Sequence, residues 1–225
     1  MNFIIKTASF ICNGVLDILF PKRCIGCDKL MPVSEMFCLC DNCQRELKKE
    51  KIFIREDENG YDEIISPLPY RDNIRRSLIE FKFKNLKYLG YTFAKAMYNE
   101  LKNRSFISSD CYILPVPIHI SRDRDYNQSA VLAKYLSSWL GVAILDDALF
   151  KIKPISRLSG MELEDKKLYI KNSFIYNPCI NLSGKTVIVV DDVYTSGTTL
   201  LEISKYLRMY GAERVYAVTA CHSKL

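Results

Sequence analysis

The sequence predicts an α/β protein: a parallel, doubly wound sheet flanked by helices, with a small cysteine-rich module at its N-terminal side. Three observations carry this. From Asp110 onward, strand-like apolar runs alternate with helical periodicity, the order that builds parallel sheets with crossover helices. One of those runs, KTVIVV, is apolar without alternation, as a strand buried on both faces must be. Five of the nine cysteines crowd between Cys24 and Cys43, a density that a sheet domain does not need.

Taken in chain order, the N-terminal stretch places Ile4, Ala8, Ile11, Val15 and Leu19 at helical spacing before Pro21, which predicts an amphipathic helix. It has no cationic start and no small-residue cleavage site, and Asp17 interrupts it, so it reads as a packing helix rather than a signal peptide. Docking to a partner or a membrane surface is the alternative. The helix and the cysteine module fill residues 1–50, and residues 51–225 form the second domain. That domain opens with short β-like pieces, IFI and EIISPL, followed by helical patterns around Ile74–Phe81 and Leu89–Leu101. YILPV is then a strand, and NQSAVLAKYLSSWL a helix with Val131, Leu132, Tyr135, Leu136 and Trp139 on its apolar side. After the strand KTVIVV come the helix TLLEISKYLRMYG, closed by Gly211, and a last strand, RVYAVTAC.

The 225 residues are 48% hydrophobic and 26% charged, with a formal net charge of +6. These are ordinary values for a globular protein, and the mild basicity permits an anionic partner without requiring one. No uncharged apolar run reaches the roughly 18 residues of a membrane span, so an integral membrane protein is not expected. Cysteines clustered in one segment fit a reducing cytoplasm and a metal site better than a disulfide framework.

Cys24-x-x-Cys27 and Cys40-x-x-Cys43 are separated by twelve residues. Two such pairs can set four thiolates around one tetrahedral Zn²⁺, and four thiolates leave no open position, so the site is structural. Cys38 competes with Cys40 for the third ligand position, and keeping the CxxC turn favours Cys40. Lys22, Arg23, Lys29 and Arg45 lie nearby, so the module serves either as a fold staple or also as a contact for nucleic acid or protein.

The most informative string is VIVVDDVYTSGTT, Val187 to Thr199. An apolar strand ends in Asp191 and Asp192, and a loop of small hydroxyl residues around Gly197 leads into a helix. Helix N-termini attract anions, and small residues let the backbone approach a phosphate. Thr195, Ser196, Thr198 and Thr199 add hydroxyl donors. The two acids suit vicinal hydroxyls, or a Mg²⁺ that those hydroxyls share. The residues thus describe a site for a phosphorylated ribose. Gly184-Lys185-Thr186 imitates the tail of a P-loop, but it opens a strand rather than a helix, which excludes that reading. Upstream, Arg122 and Arg124 lie in a loop before a helix beginning near Asn127, where a guanidinium pair can clamp a pyrophosphate or simply pair with Asp123 and Asp125. Asn127 suits the N-cap of that helix. His119 is read as structural.

VIVVDDVYTSGTT resembles the phosphoribosyl-pyrophosphate (PRPP) motif of type I phosphoribosyltransferases. Together with the four-cysteine module and PVPIHISRDRDYNQ, it makes the chain resemble the ComF (competence protein F) family, from about Leu16 to the C-terminus. YRDNIRRSLIEFKFKNLKYLG, with Tyr70 and Lys82, resembles that family's segment after the knuckle, and LSGMELEDKKLYIKNSF its segment before the PRPP strand. The resemblance implies a type I phosphoribosyltransferase-like sheet and a ligand of PRPP with Mg²⁺. By the same resemblance, Asp191 and Asp192 hold the ribose hydroxyls, Thr195, Ser196, Gly197, Thr198 and Thr199 the 5′-phosphate, and Arg122 and Arg124 the pyrophosphate. It also implies a role in DNA uptake during natural transformation, with single-stranded DNA and competence-machinery proteins as partners. The protein is then either a phosphoribosyl transferase with an unidentified acceptor or a non-enzymatic PRPP-binding adaptor, cytoplasmic and open to peripheral membrane association through a partner. The chain departs from the family pattern in three segments: Arg124-Asp125-Tyr126-Asn127-Gln128 stands where the family usually has Arg-Gly-Phe-Asn-Gln, Leu158 replaces a glutamine, and a lysine near Lys166 replaces an arginine.

Overall fold

The alternation of strands and helices resolves into one large sheet in a computed structural model, which describes residues 22–32, 35–55, 60–84, 86, 88–118, 126–152 and 173–223. The expected N-terminal helix, the Arg122/Arg124 loop, His119 and most of the segment around Leu158 and Lys166 lie outside the described residues.

After the cysteine module and its helix α1 (Asp41–Leu47) come strands β1 (Ile52–Arg55), β2 (Glu63–Ser66) and β3 (Leu68–Pro69). Helices α2 (Asp72–Phe83) and α3 (Tyr88–Leu101) lead to β4 (Cys111–Pro115) and α4 (Gln128–Leu140). The chain continues through β5 (Ala143–Ile144), β6 (Leu149–Lys151), β7 (Phe174–Tyr176), β8 (Thr186–Tyr194), α5 (Thr198–Met209) and β9 (Arg214–His222). The large sheet runs β1-β2-β9-β8-β4-β5, with β3 also on β9. Its pairings are parallel except at one edge, where β1 runs antiparallel to β2. The β6–β7 ladder forms a separate two-stranded sheet. The sequence reading did not anticipate β5, β6 or β7.

The continuous apolar run of β8 is explained by what lies on each side. Ile188 and Val190 join the core under α2, α3 and α4, together with Phe81, Phe93, Met97, Leu132 and Leu136. Val187 and Val189 face the opposite way, into a second core with Leu200, Ile203 and Leu207 of α5 and with Phe174 and Tyr176 of the small sheet. Period-two alternation with both faces covered demands apolar residues at every position. The helices bury one face each: Ile74, Ser77, Leu78 and Phe81 in α2, and Leu200, Ile203, Ser204 and Leu207 in α5. The i, i+3, i+4, i+7 spacing is the reason these segments are helical and amphipathic. Asn127 caps α4, its Oδ1 accepting from the Ala130 amide at 3.3 Å, and Gly141 ends the helix in the left-handed conformation at φ +69°.

The cysteine module shares the first of these cores. Cys24, Ile25, Cys38 and Leu39 are buried in the same cluster as α2 and α3. The Cys38 amide donates to Thr92 Oγ1 at 3.1 Å, and Asn73 donates to the Gly26 carbonyl at 3.3 Å.

Candidate functional site

Register decides where an opening forms. β4 pairs with β8 from Cys111↔Thr186 to Pro115↔Val190, and the Val116 amide adds one more bond to the Val190 carbonyl. Among the described residues the β4 pairing stops at Val190, while β8 continues to Tyr194 against β9. The carboxyl end of β8 is therefore, among the described residues, paired on one side only, which is where parallel α/β sheets offer a ligand crevice. Asp191 and Asp192 occupy the first two positions past the split. The sequence placed them at the strand's end; the strand in fact runs two residues further, through Val193 and Tyr194.

Both acids are heavily engaged. Asp191 Oδ1 accepts from Ser129 Oγ and from the Asp192 amide, each at 2.9 Å. Asp192 Oδ2 pairs with Lys82 Nζ at 2.8 Å, with the two side chains only 13% and 19% exposed. Burial, and then the charge of Asp192, push Asp191 up to about 6, against the pull of Lys82 and its hydrogen bonds. For Lys82, burial pulls the pKa down, but the charges of Asp192 and Asp191 outweigh it and leave the ammonium above its usual value.

Lys82 is placed there by α2 and held by α4. Gln128 Nε2 donates to the Lys82 carbonyl at 3.0 Å, and the Tyr126 hydroxyl donates to the carbonyl of Phe81. Ser129 and Lys82 are the site residues that sequence reading missed as such. Ser129 carries no local signal, and Lys82 was singled out only through a family-like segment.

The loop after β8 turns at Gly197 into α5. Gly197 has φ +72°, and a Cβ there would meet Tyr194 Cε2 at 2.7 Å, so only glycine fits. Gly197 is the N-cap of α5 and brings no side chain to close its first turn, which leaves the leading amides and the positive dipole end open to an anion. Ser196 Oγ and Thr198 Oγ1 lie 3.0 Å apart. Asp191, Tyr194, Thr195, Ser196, Thr198 and Thr199 line a common small hollow. Acids and hydroxyl loop thus come together at one strand end. Lys185, the P-loop imitator, stands at the other end of β8 and pairs with Asp110 at 2.6 Å.

The cysteine module brings Cys24, Cys27, Cys40 and Cys43 together, with all four Sγ atoms within 4.8 Å of one another. Cys27 and Cys40 Sγ are 3.8 Å apart, close to the edge of a tetrahedron with Zn–S bonds of about 2.3 Å. Cys24 Sγ also accepts from the amides of Gly26 and Cys40 at 3.4 and 3.3 Å, the bonding a thiolate ligand needs. A Cβ on Gly26 would stand 2.8 Å from Cys43 Sγ, so the turn that closes the cluster requires glycine. The backbone amide of Cys43 draws the Cys40 thiol down to about 7, while burial pushes that of Cys43 up. The donor set fits Zn²⁺. Cys38 sits apart, buried, with its thiol directed at the Met36 carbonyl.

A sheet opened at two carboxylates and a hydroxyl loop defines a class, and the comparisons agree with it. Residues 86–224 match the family model described as phosphoribosyl transferase domain, and the chain belongs to that family. Within it the chain is a homologue of Competence protein F of Haemophilus influenzae, 30% identical over 213 residues that cover 91% of this chain and 92% of the relative. DNA utilization protein YhgH of Salmonella typhi is 29% identical over 113 residues, 49% of each chain. Ribose-phosphate pyrophosphokinase of Pyrococcus furiosus is 27% identical over 178 residues, 73% of this chain and 60% of the relative. Among the described residues, no helix is long and apolar enough to cross a membrane.

Proposed function

We propose that the carboxyl end of β8 binds PRPP together with Mg²⁺, in a protein that serves DNA uptake. The observation that carries this reading is the open edge of β8, where Asp191 and Asp192 stand beside the Gly197 turn and the uncapped start of α5. In this reading the hydroxyls and amides of Thr195–Thr199 hold the 5′-phosphate, and the acids hold the ribose hydroxyls together with the Mg²⁺ that those hydroxyls share. Arg122 and Arg124, which fall between β4 and α4 in the sequence, take the pyrophosphate in this reading. Mg²⁺, when bound, offsets the charge of the pyrophosphate. Zn²⁺ at Cys24, Cys27, Cys40 and Cys43 braces the module against α2 and α3. The names of the relatives, a competence protein and a DNA utilization protein, support a role in handling DNA; in this reading the partners are single-stranded DNA and competence proteins, and the protein is cytoplasmic.

The bound PRPP is either transferred or merely sensed. In transfer, a nitrogen nucleophile attacks the anomeric carbon and pyrophosphate leaves, with positioning and charge stabilisation supplied by the site. Thermal unfolding with and without Mg²⁺–PRPP tests the binding. At 100 times its Kd the ligand adds about 2.7 kcal/mol, and Asp191→Asn/Asp192→Asn abolishes the gain. No shift in the intact protein refutes the site. Pyrophosphate release across a panel of bases and amines then separates transferase from adaptor.

A further inference from the structure

Lys82 holds one oxygen of the acid pair. Its ammonium occupies Asp192 Oδ2 at 2.8 Å, while Asp191 Oδ1 is already taken by Ser129 and by the Asp192 amide. We propose that Lys82 is a resident cation of the acid pair, which yields Asp192 to the divalent metal and turns to the pyrophosphate that enters with it. The inference rests on the PRPP reading and adds a residue and a binding order to it.

Four features support the exchange. The pair is shielded, with side chains 19% and 13% exposed, so the lysine neutralises a carboxylate that would otherwise be costly to leave unpaired. A divalent cation coordinates a carboxylate oxygen at about 2.1 Å. Such an ion and an ammonium on the same oxygen would repel strongly in a site with little water. The backbone of Lys82 is fixed by Gln128 and its predecessor Phe81 by Tyr126, so the exchange needs only the four-carbon stem to swing. Finally, α2 is tied by these same bonds to the start of α4, the helix whose Ser129 holds Asp191, so the lysine and the acid pair keep a fixed relation while the ammonium moves. Metal alone must displace an ammonium that has no new partner. Metal with a polyphosphate provides one, so each favours the other's binding.

The test compares wild type, Lys82→Met and Lys82→Arg, all with structural zinc in place. Mn²⁺ alone is titrated by electron paramagnetic resonance, and PRPP without added divalent metal by calorimetry. Lys82→Met is expected to bind Mn²⁺ at least tenfold more tightly and PRPP at least tenfold more weakly, with Lys82→Arg close to wild type in both. A merely structural lysine would weaken both or neither. Unchanged or weaker Mn²⁺ binding in folded Lys82→Met, or unchanged PRPP binding, overturns the exchange. If Lys82→Met does not fold, ¹⁵N-lysine NMR of the wild type decides: the shielded Nζ signal moves on adding Mg²⁺–PRPP if the exchange occurs, and an unmoved signal with bound ligand overturns it. A wild type that binds neither Mn²⁺ nor PRPP overturns the PRPP reading itself, and the exchange with it. Binding without the crossed effect overturns the exchange alone.

Discussion

The Ser129 hydroxyl donates to Asp191 Oδ1 at 2.9 Å, tying the second residue of α4 to the open end of β8 across 62 positions of sequence. The acid is thereby aimed before any ligand arrives, which spares the ligand the cost of ordering it. Ser129→Ala is expected to cost about 1 kcal/mol of stability. It should also weaken PRPP binding roughly fivefold to tenfold, about 1–1.4 kcal/mol, as read by calorimetry. Unaltered affinity would show that the bond serves only the fold.

Gly197→Ala places a methyl group against the ring of Tyr194 in a left-handed turn. The conformational part alone costs about 1–2 kcal/mol, and Tyr194 is only 6% exposed and has little room to yield. Chemical denaturation should show that loss, and the ligand-induced thermal shift should vanish, because the turn also sets the leading amides of α5.

Asp191 gives a pH dependence with a definite sign. Its folded value of about 6 lies above the ordinary 3.8, so between those values the folded protein holds a proton that the unfolded chain releases. This group therefore favours the fold at low pH, and the contribution is lost as pH rises through about 6. Without ligand, Asp191→Asn should be more stable than wild type at pH 7.5, by about 1–2 kcal/mol. The figure is below the full shift because the side chain is partly exposed. The gap should close toward pH 4. Urea melts at the two pH values check it, and a destabilised variant at pH 7.5 would contradict it.

His222 runs the other way. Burial holds its imidazole below the ordinary 6.5, and its buried Nδ1 has no hydrogen-bond partner among the described residues. A base lowered by folding stabilises the fold above its ordinary value, and that stability is lost as pH falls below about 6.5. His222→Gln should remove this acid-side slope, seen as a smaller difference between melts at pH 7.5 and pH 5.5.

The cysteine cluster should hold one zinc per chain by elemental analysis. Cys24→Ser is expected to lose it and to destabilise the protein by an amount on the order of 5 kcal/mol, whereas Cys38→Ser should keep it. Gly26→Ala should loosen the metal through contact with Cys43, read as faster transfer of zinc to a chelator.

What could be read from residues alone was what repeats or clusters locally. The uninterrupted run of β8, the amphipathic faces of α2 to α5, the Asn127 cap and the paired CxxC turns are each decided within about a dozen residues. The short β5 and the β6–β7 ladder are not: their pairs form across 31 and 27 positions, as in Tyr112↔Ala143 and Leu149↔Tyr176, with two or three residues apiece. The candidate site divides in the same way. Asp191, Asp192 and the hydroxyl loop are contiguous and visible. Lys82 and Ser129 reach the acids from helices far away in sequence, and only the folded register brings them there.

The burial of Ile25 and Leu39 beneath α2 and α3, together with the bond from His222 to Glu50, bears on how the molecule can be dissected. The sequence suggests a seam near residue 50. A fragment begun at residue 51 would nevertheless bare the apolar sides of two helices and strand the imidazole at the end of β9. Such a fragment should be recovered as aggregate, while the two halves expressed together should find each other. The cysteine-rich end is in this sense half of an interior rather than an attachment.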